Sequence, residues 1–174
     1  MATAHRVDRP TAPGPRRRTG CSRHYAAVMT KVLVLNGPNL GRLGRRQPEI
    51  YGSTTHAELA HQCVEWGRDL GLEVEVRQTN HEGELLDWLN AAADDGNPVV
   101  LNAGAWTHYS LALWDACAQL AAPLVEVHIS DPRQRPEEFR HTSVVEPHAA
   151  LTIAGEGIDG YRRALEFLAR DQTG

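Results

Sequence analysis

From Lys31 onward, short apolar runs alternate with longer stretches whose apolar residues return at helical spacing. The runs read VLVLN (32–36), LEVEVRQ (72–78), PVVLNA (98–103), PLVEVHI (123–129) and AALTIA (149–154), and each predicts a strand. Between the first two, Thr54 or Thr55 can cap a helix running to about Leu70, where Gly71 stops it. Residues 82–95 carry Leu85, Leu86, Leu89 and Ala92 along one helical stripe. Residues 107–120 and 160–169 predict helices in the same way.

Strands alternating with such helices imply βαβ units and a parallel sheet. Five of them predict a flavodoxin-like three-layer α/β/α sandwich on a five-stranded parallel sheet, formed as one domain over 31–174. In that architecture ligands sit beyond the carboxyl ends of the strands. The length of 174 residues suffices for one such domain with a full core. Residues 1–30 break the pattern: rich in Pro, Gly and Arg, they have no apolar period and predict a disordered extension. They lack the apolar core of a secretory signal, and Met29, just before the first strand, offers an alternative start.

Composition changes the picture mainly by exclusion. No apolar stretch is long enough to span a bilayer, so no membrane partner is expected. The net charge of -4 argues against a general nucleic-acid surface. Cys21, Cys63 and Cys117 form no CxxC pair and have no metal-site spacing, which reads as reduced thiols in a cytoplasmic protein without a metal. Lys31 is the only lysine against seventeen arginines, so a mechanism through a lysine imine would have that residue alone.

The segments just after the strands are the polar ones: NGPNLGRLGRRQPEIYG, QTNHEGE, NAGAWTHYS and HISDPRQRPEEFRHTS. The first has neither GxGxxG nor GxxxxGK followed by Ser or Thr, so it is not a nucleotide fingerprint. Gly37, Gly41 and Gly44 then mark either a tight, mobile loop or an ordinary arginine-rich surface loop. Tyr51 follows Arg42, Arg45 and Arg46. A phenol ionises near ~10, and making it a base at neutrality costs on the order of 3–4 kcal/mol. One guanidinium at about 5 Å supplies roughly 3 kcal/mol at an effective dielectric near 20, so the arginines suffice in magnitude. A packing tyrosine is the plainer reading.

In NAGAWTHYS, residues Asn102, Thr107, His108 and Ser110 stand at a strand-to-helix junction. Such a junction can bind an anion, or Thr107 can simply cap the helix. In VEVHIS, Glu126 and His128 lie two apart and so share a strand face. That pair reads as an oriented general acid or as a histidine satisfied in the core. Arg133, Arg135 and Arg140 follow, suited to a carboxylate or hydroxyls.

Taken in order, LNGPNLGRLGRRQPEIYGSTT, QTNHEGELLDWL, LNAGAWTHYSLALWDA, VEVHIS, EEFRHTS and GEGIDGYRRAL closely resemble type II 3-dehydroquinate dehydratase, from about Lys31 to Arg170. The resemblance implies a cofactor-independent anti elimination of water from 3-dehydroquinate, in the shikimate pathway or quinate breakdown. It implies Tyr51 as the base, Arg46 as its activator, and Asn39 holding a water against the enolate oxygen. His128 becomes the general acid, with Glu126 orienting it. Asn102, Ile129 and Ser130 would bind the substrate carboxylate, while His108 and Arg140 would contact ring hydroxyls. Asp115 matches a residue that reaches a neighbouring subunit, which implies a homododecamer, a tetramer of trimers.

This chain also departs from the family pattern. Asp131 stands where the family usually has Asn, placing a negative charge near the carboxylate site. The lid segment RQRPEEFR has an extra residue and Pro136, which leaves Arg133 or Arg135 as the lid arginine. A divergent paralogue acting on a related polyhydroxy cyclohexanone carboxylate is therefore the alternative. A flavodoxin-like binding module is the third reading, but GPNLGRLGRR supplies no Ser- and Thr-rich phosphate loop.

Overall fold

A computed structural model describes residues 29–45 and 53–171 of the chain. The expected disordered extension therefore lies outside the described residues, apart from Met29 and Thr30, as do Cys21, Arg46 and Tyr51. The five strands are β1 (Thr30–Asn36), β2 (Leu72–Gln78), β3 (Val99–Asn102), β4 (Leu124–His128) and β5 (Leu151–Ala154). They pair in parallel throughout, in the order β2-β1-β3-β4-β5. This is the flavodoxin-like order, and its direction reverses between β1 and β3.

Period-two alternation sorts the strand residues into two layers. Val32, Val34, Val100, Val125 and Val127 pack beneath α1 (His56–Asp69) and α4 (Asp159–Asp171). Leu33, Leu35, Leu101 and Leu124 pack beneath α2 (Glu82–Asp95) and α3 (Leu111–Ala118). Cys63 lies in the first cluster and Cys117 in the second, so the sheet separates them. Burial pushes both thiols up to about 12, which leaves them protonated and unreactive.

Local chemistry explains the helix ends. The Thr55 hydroxyl accepts from the Glu58 N–H, and Glu58 in turn accepts from the Thr55 N–H at 2.7 Å, a reciprocal capping box. Gly71 and Gly96 take left-handed backbone after α1 and α2. The predicted helix over 107–120 is two elements instead. A 3-10 turn spans Gly104–His108, and α3 begins only at Leu111 because the Ser110 hydroxyl accepts its Leu113 N–H at 3.0 Å. Ser110, not Thr107, is the cap.

Two close approaches shape the carboxyl edge. A Cβ on Gly37 would stand 2.5 Å from the Ala103 carbonyl oxygen, so the chain leaving β1 can touch the chain leaving β3 only as glycine. A Cβ on Gly44 would stand 2.5 Å from the Ser53 carbonyl oxygen, so the chain on either side of residues 46–52 meets at that glycine. Lys31 lies at the opposite end of β1, paired with Glu75 at 2.8 Å, far from this edge.

Candidate active site

The cleft at the topological switch point has a volume of about 160 Å³. Each wall continues a strand. After β1 come Asn39, Arg42 and Leu43; after β3 come Gly104 and His108; after β4 come Ile129, Ser130 and Arg135. Asn102, His128 and Arg140 also line it. Of the residues expected from sequence, the structure therefore gathers Asn39, Asn102, His108, His128, Ile129, Ser130, Arg135 and Arg140 around one space. Asp115 does not join them: it is exposed on α3.

Asn39 has φ 67, the one positive φ among described non-glycine residues. Asparagine tolerates that conformation better than most, and the Asn80 side chain accepts from the Asn39 N–H at 2.8 Å. The turn thereby holds the Asn39 side chain at the cleft.

Glu126 and His128 point to the same face of β4, as their spacing requires. His128 Nε2 donates to Glu126 Oε1 at 2.9 Å, and Glu126 is fully buried. Two hydroxyls also donate to that oxygen, Thr107 at 2.6 Å and Ser143 at 2.7 Å. Burial alone would raise the Glu126 carboxyl. The hydrogen bond and charge of His128, with the two hydroxyls, outweigh it and hold the group below the ordinary carboxylate range. Glu126 is therefore ionised and only accepts. Its proton-bearing neighbour must be Nε2, which leaves Nδ1 of His128 for the cleft.

His108 donates from Nδ1 to the Thr142 carbonyl at 2.8 Å and meets Phe139 edge to face. Partial burial lowers its pKa, and the positive charge of His128 and Arg140 adds to this against the Thr142 bond. At neutral pH its free Nε2 is an acceptor, suited to a hydroxyl donor.

Beneath the cleft, Asn102 Nδ2 donates to the Tyr161 hydroxyl at 2.9 Å, which donates to Asn36 Oδ1 at 2.6 Å. Asn36 Nδ2 then donates to His56 Nε2 at 3.3 Å. Tyr161 is fully buried, and desolvation drives its phenol far above the usual range, so it stays neutral. The chain of polar groups fixes the Asn102 amide from below, while the Gly104 N–H donates to its Oδ1 at 3.3 Å. Sequence reasoning missed Tyr161, Asn36, Asn80 and Ser143, whose partners are distant in the chain, and the capping alternative for Thr107 falls to Ser110.

The structure also separates the two lid candidates. Arg133 binds both oxygens of Glu146, at 2.6 and 2.8 Å, whereas Arg135 lines the cleft. Asp131 is not in that lining, but it lines an adjoining cavity with His108, His128 and Arg140. Its carboxylate accepts from the Arg133 N–H at 2.9 Å and from Gln134 at 3.2 Å, capping the turn Pro132–Gln134. The charge expected near the carboxylate site is thus engaged in a local turn.

An imidazole backed by an ionised carboxylate, opening on a polar cleft in a doubly wound sheet, defines an acid–base enzyme of the α/β class. A family model described as "Dehydroquinase class II" matches residues 30–169, and the chain belongs to that family. It is 63% identical to a 3-dehydroquinate dehydratase from Salinispora tropica over 139 residues, which cover 80% of this chain and 96% of the relative. A 3-dehydroquinate dehydratase from Mycobacterium leprae is 53% identical over 141 residues, covering 81% and 97%. Among solved structures, the type II dehydroquinase from Propionibacterium acnes superposes with a TM-score of 0.80 at 58% identity, covering 82% of this chain and 99% of that one. The type II dehydroquinase from Butyrivibrio crossotus gives 0.77 at 43% identity, covering 80% and 97%.

His56 and His108 both bind a proton less tightly in the folded chain, His56 through burial alone. As pH falls through about 6.5, the unfolded chain takes up protons that the folded one resists, so stability falls with it. Urea midpoints measured from pH 7.5 downward should therefore decrease across that window, before any carboxylate titrates. A midpoint that holds or rises there would contradict the burial of these two rings.

Proposed function

We propose that the chain removes water from 3-dehydroquinate to give 3-dehydroshikimate, by an anti elimination through an enolate. The observation that carries this reading is the buried Glu126–His128 pair, whose imidazole opens on the cleft. Proton loss beside a ketone needs a base and a place for negative charge on oxygen. Loss of hydroxide then needs a proton donor on the other face of the ring. In this scheme the base takes the proton and the C–H electrons move onto the carbonyl oxygen. The carbon–oxygen bond then breaks, the imidazolium form of His128, protonated on both ring nitrogens, gives its Nδ1 proton to the departing hydroxyl, and the double bond remains.

Tyr51 is assigned as the base and Arg46 as the cation that lowers its pKa. Both assignments rest on the sequence block they share with the family, since the two residues lie outside the described ones. Arg42 lines the cleft and adds positive charge there. Asn39 is assigned to hold a water on the enolate oxygen. Asn102 with the Ile129 and Ser130 N–H groups takes the carboxylate. His108, Arg140 and Arg135 take the hydroxyls and cover the substrate. The scheme runs on side chains alone, without cofactor or metal. The reading places the work in the cytoplasm, within the single domain 31–174.

The family's dodecamer is part of the proposal. Tyr109, Leu111 and Trp114 flank Asp115 and are 63%, 76% and 41% exposed, an apolar face that a neighbouring copy would cover. Asp131, the departure behind the divergent-paralogue reading, has its carboxylate engaged by Arg133 and Gln134 in a local turn.

Absorbance of the conjugated product tests the reaction directly. The wild type should turn over 3-dehydroquinate, and His128→Ala should lose roughly 10²–10⁴ in kcat while remaining folded. A silent wild type would reject the reaction, and an unimpaired variant would reject the acid. Sedimentation velocity should show a large symmetric oligomer; a fully active monomer would remove the role given to Asp115.

A further inference from the structure

We propose that Thr107 and Ser143 are positioning residues for the general acid, acting through Glu126. The inference rests on the dehydratase reading and extends it to two side chains that never touch the substrate in that scheme. The Ser143 hydroxyl accepts the N–H groups of Val145 at 3.1 Å and Glu146 at 3.0 Å. With both lone pairs engaged, its single proton goes to Glu126 Oε1 at 2.7 Å. The Thr107 hydroxyl, fully buried, reaches the same oxygen at 2.6 Å. Three donors thus converge on one oxygen of Glu126, while Oε2 has no hydrogen-bond partner among the described residues.

That asymmetry has a mechanical consequence. The terminal torsion of a glutamate is soft, so a carboxylate with one partner can turn. Two hydroxyls on Oε1 remove that freedom and keep that oxygen facing His128 Nε2. They also supply the hydrogen bonds that a buried charge needs in place of water. Without them the carboxyl tends toward its neutral form, and the ring loses the facing negative charge that favours a proton on Nδ1 as well as on Nε2. A ring left with the Nε2 proton alone presents a bare Nδ1 to the cleft and cannot act as the acid.

The two hydroxyls come from segments tied together by the backbone. The Val144 N–H donates to the Thr107 carbonyl at 2.7 Å, and His108 Nδ1 donates to the Thr142 carbonyl at 2.8 Å. The strap 142–145 follows directly on the segment that carries Arg135 and Arg140 into the cleft. The acid and the residues covering the substrate are therefore set by one continuous stretch of chain.

Thr107→Val keeps the shape and removes the hydroxyl; Thr107→Ser keeps the hydroxyl. We expect Thr107→Val to lower kcat roughly 10- to 100-fold with KM within about 2-fold, because the loss falls on the transition state. Thr107→Ser should recover most of that loss, and Ser143→Ala should show a smaller drop of the same kind. A second readout needs no substrate: the low-field proton resonance of His128 Nε2–H on its carboxylate, identified by its loss in His128→Ala. It should persist in Thr107→Ser and vanish or broaden in Thr107→Val. A wild-type resonance in Thr107→Val overturns the proposal whether or not the protein turns over 3-dehydroquinate. So does an unchanged kcat, a loss confined to KM, or a Thr107→Ser as impaired as Thr107→Val. Should Thr107→Val fail to fold, the same resonance and kcat in Ser143→Ala decide. An inactive wild type with the expected resonance changes would instead reject the substrate and leave the positioning established.

Discussion

A single buried carboxylate constrains the whole carboxyl edge of this sheet. Glu126 is out of contact with water and accepts from His128, Thr107 and Ser143 on one oxygen. A bare carboxylate in such a place would neutralise itself, because the desolvation cost of the charge is several kcal/mol. Here the donors tip the balance toward ionisation, and that decides the chemistry of the neighbouring imidazole. Because β4 is a strand, Glu126 and His128 necessarily share a face, and because β4 is interior, that face is dry. The rest of the site assembles around the consequence: one ring nitrogen is committed to the carboxylate and the other to the cleft.

The fold brings the other groups to this point by topology. Reversal of strand order between β1 and β3 opens a crevice at the carboxyl edge, and Gly37 lets the two departing chains meet there. The polar chain from Asn102 through Tyr161 and Asn36 to His56 lies on the α1 and α4 side of the sheet. The Glu126–His128 pair lies on the α2 and α3 side. Strand alternation thus gives the cleft two separate supports, one beneath each layer. The amide is fixed by neutral groups and the imidazole by a charged one, so the two can be perturbed independently.

Much of the fold was legible because local rules agree with the global arrangement. Period-two runs, Gly71 after a helical stretch and Thr55 before one are short-range signals, and all five strands and α1, α2 and α4 fall where they point. The helix expected over 107–120 was misjudged because Thr107 looks like a cap. Its hydroxyl is taken by Glu126, nineteen residues away, and Ser110 caps instead. The acid pair was visible in VEVHIS, since two residues of a strand carry their own geometry. Ser143 and Tyr161 were not visible. They matter through partners 17 and 125 positions away, which no periodicity encodes. Asp131, close in sequence to the site, has a carboxylate that caps a local turn, a use its position in the chain does not announce.

The account stands on Glu126 being a carboxylate inside the folded protein. Infrared difference spectroscopy of the wild type against Glu126→Gln at neutral pH tests this most directly. The account predicts that the substitution removes a carboxylate stretching band and no carboxylic-acid carbonyl band. A buried protonated carbonyl band in the wild type that disappears with Glu126→Gln would contradict it.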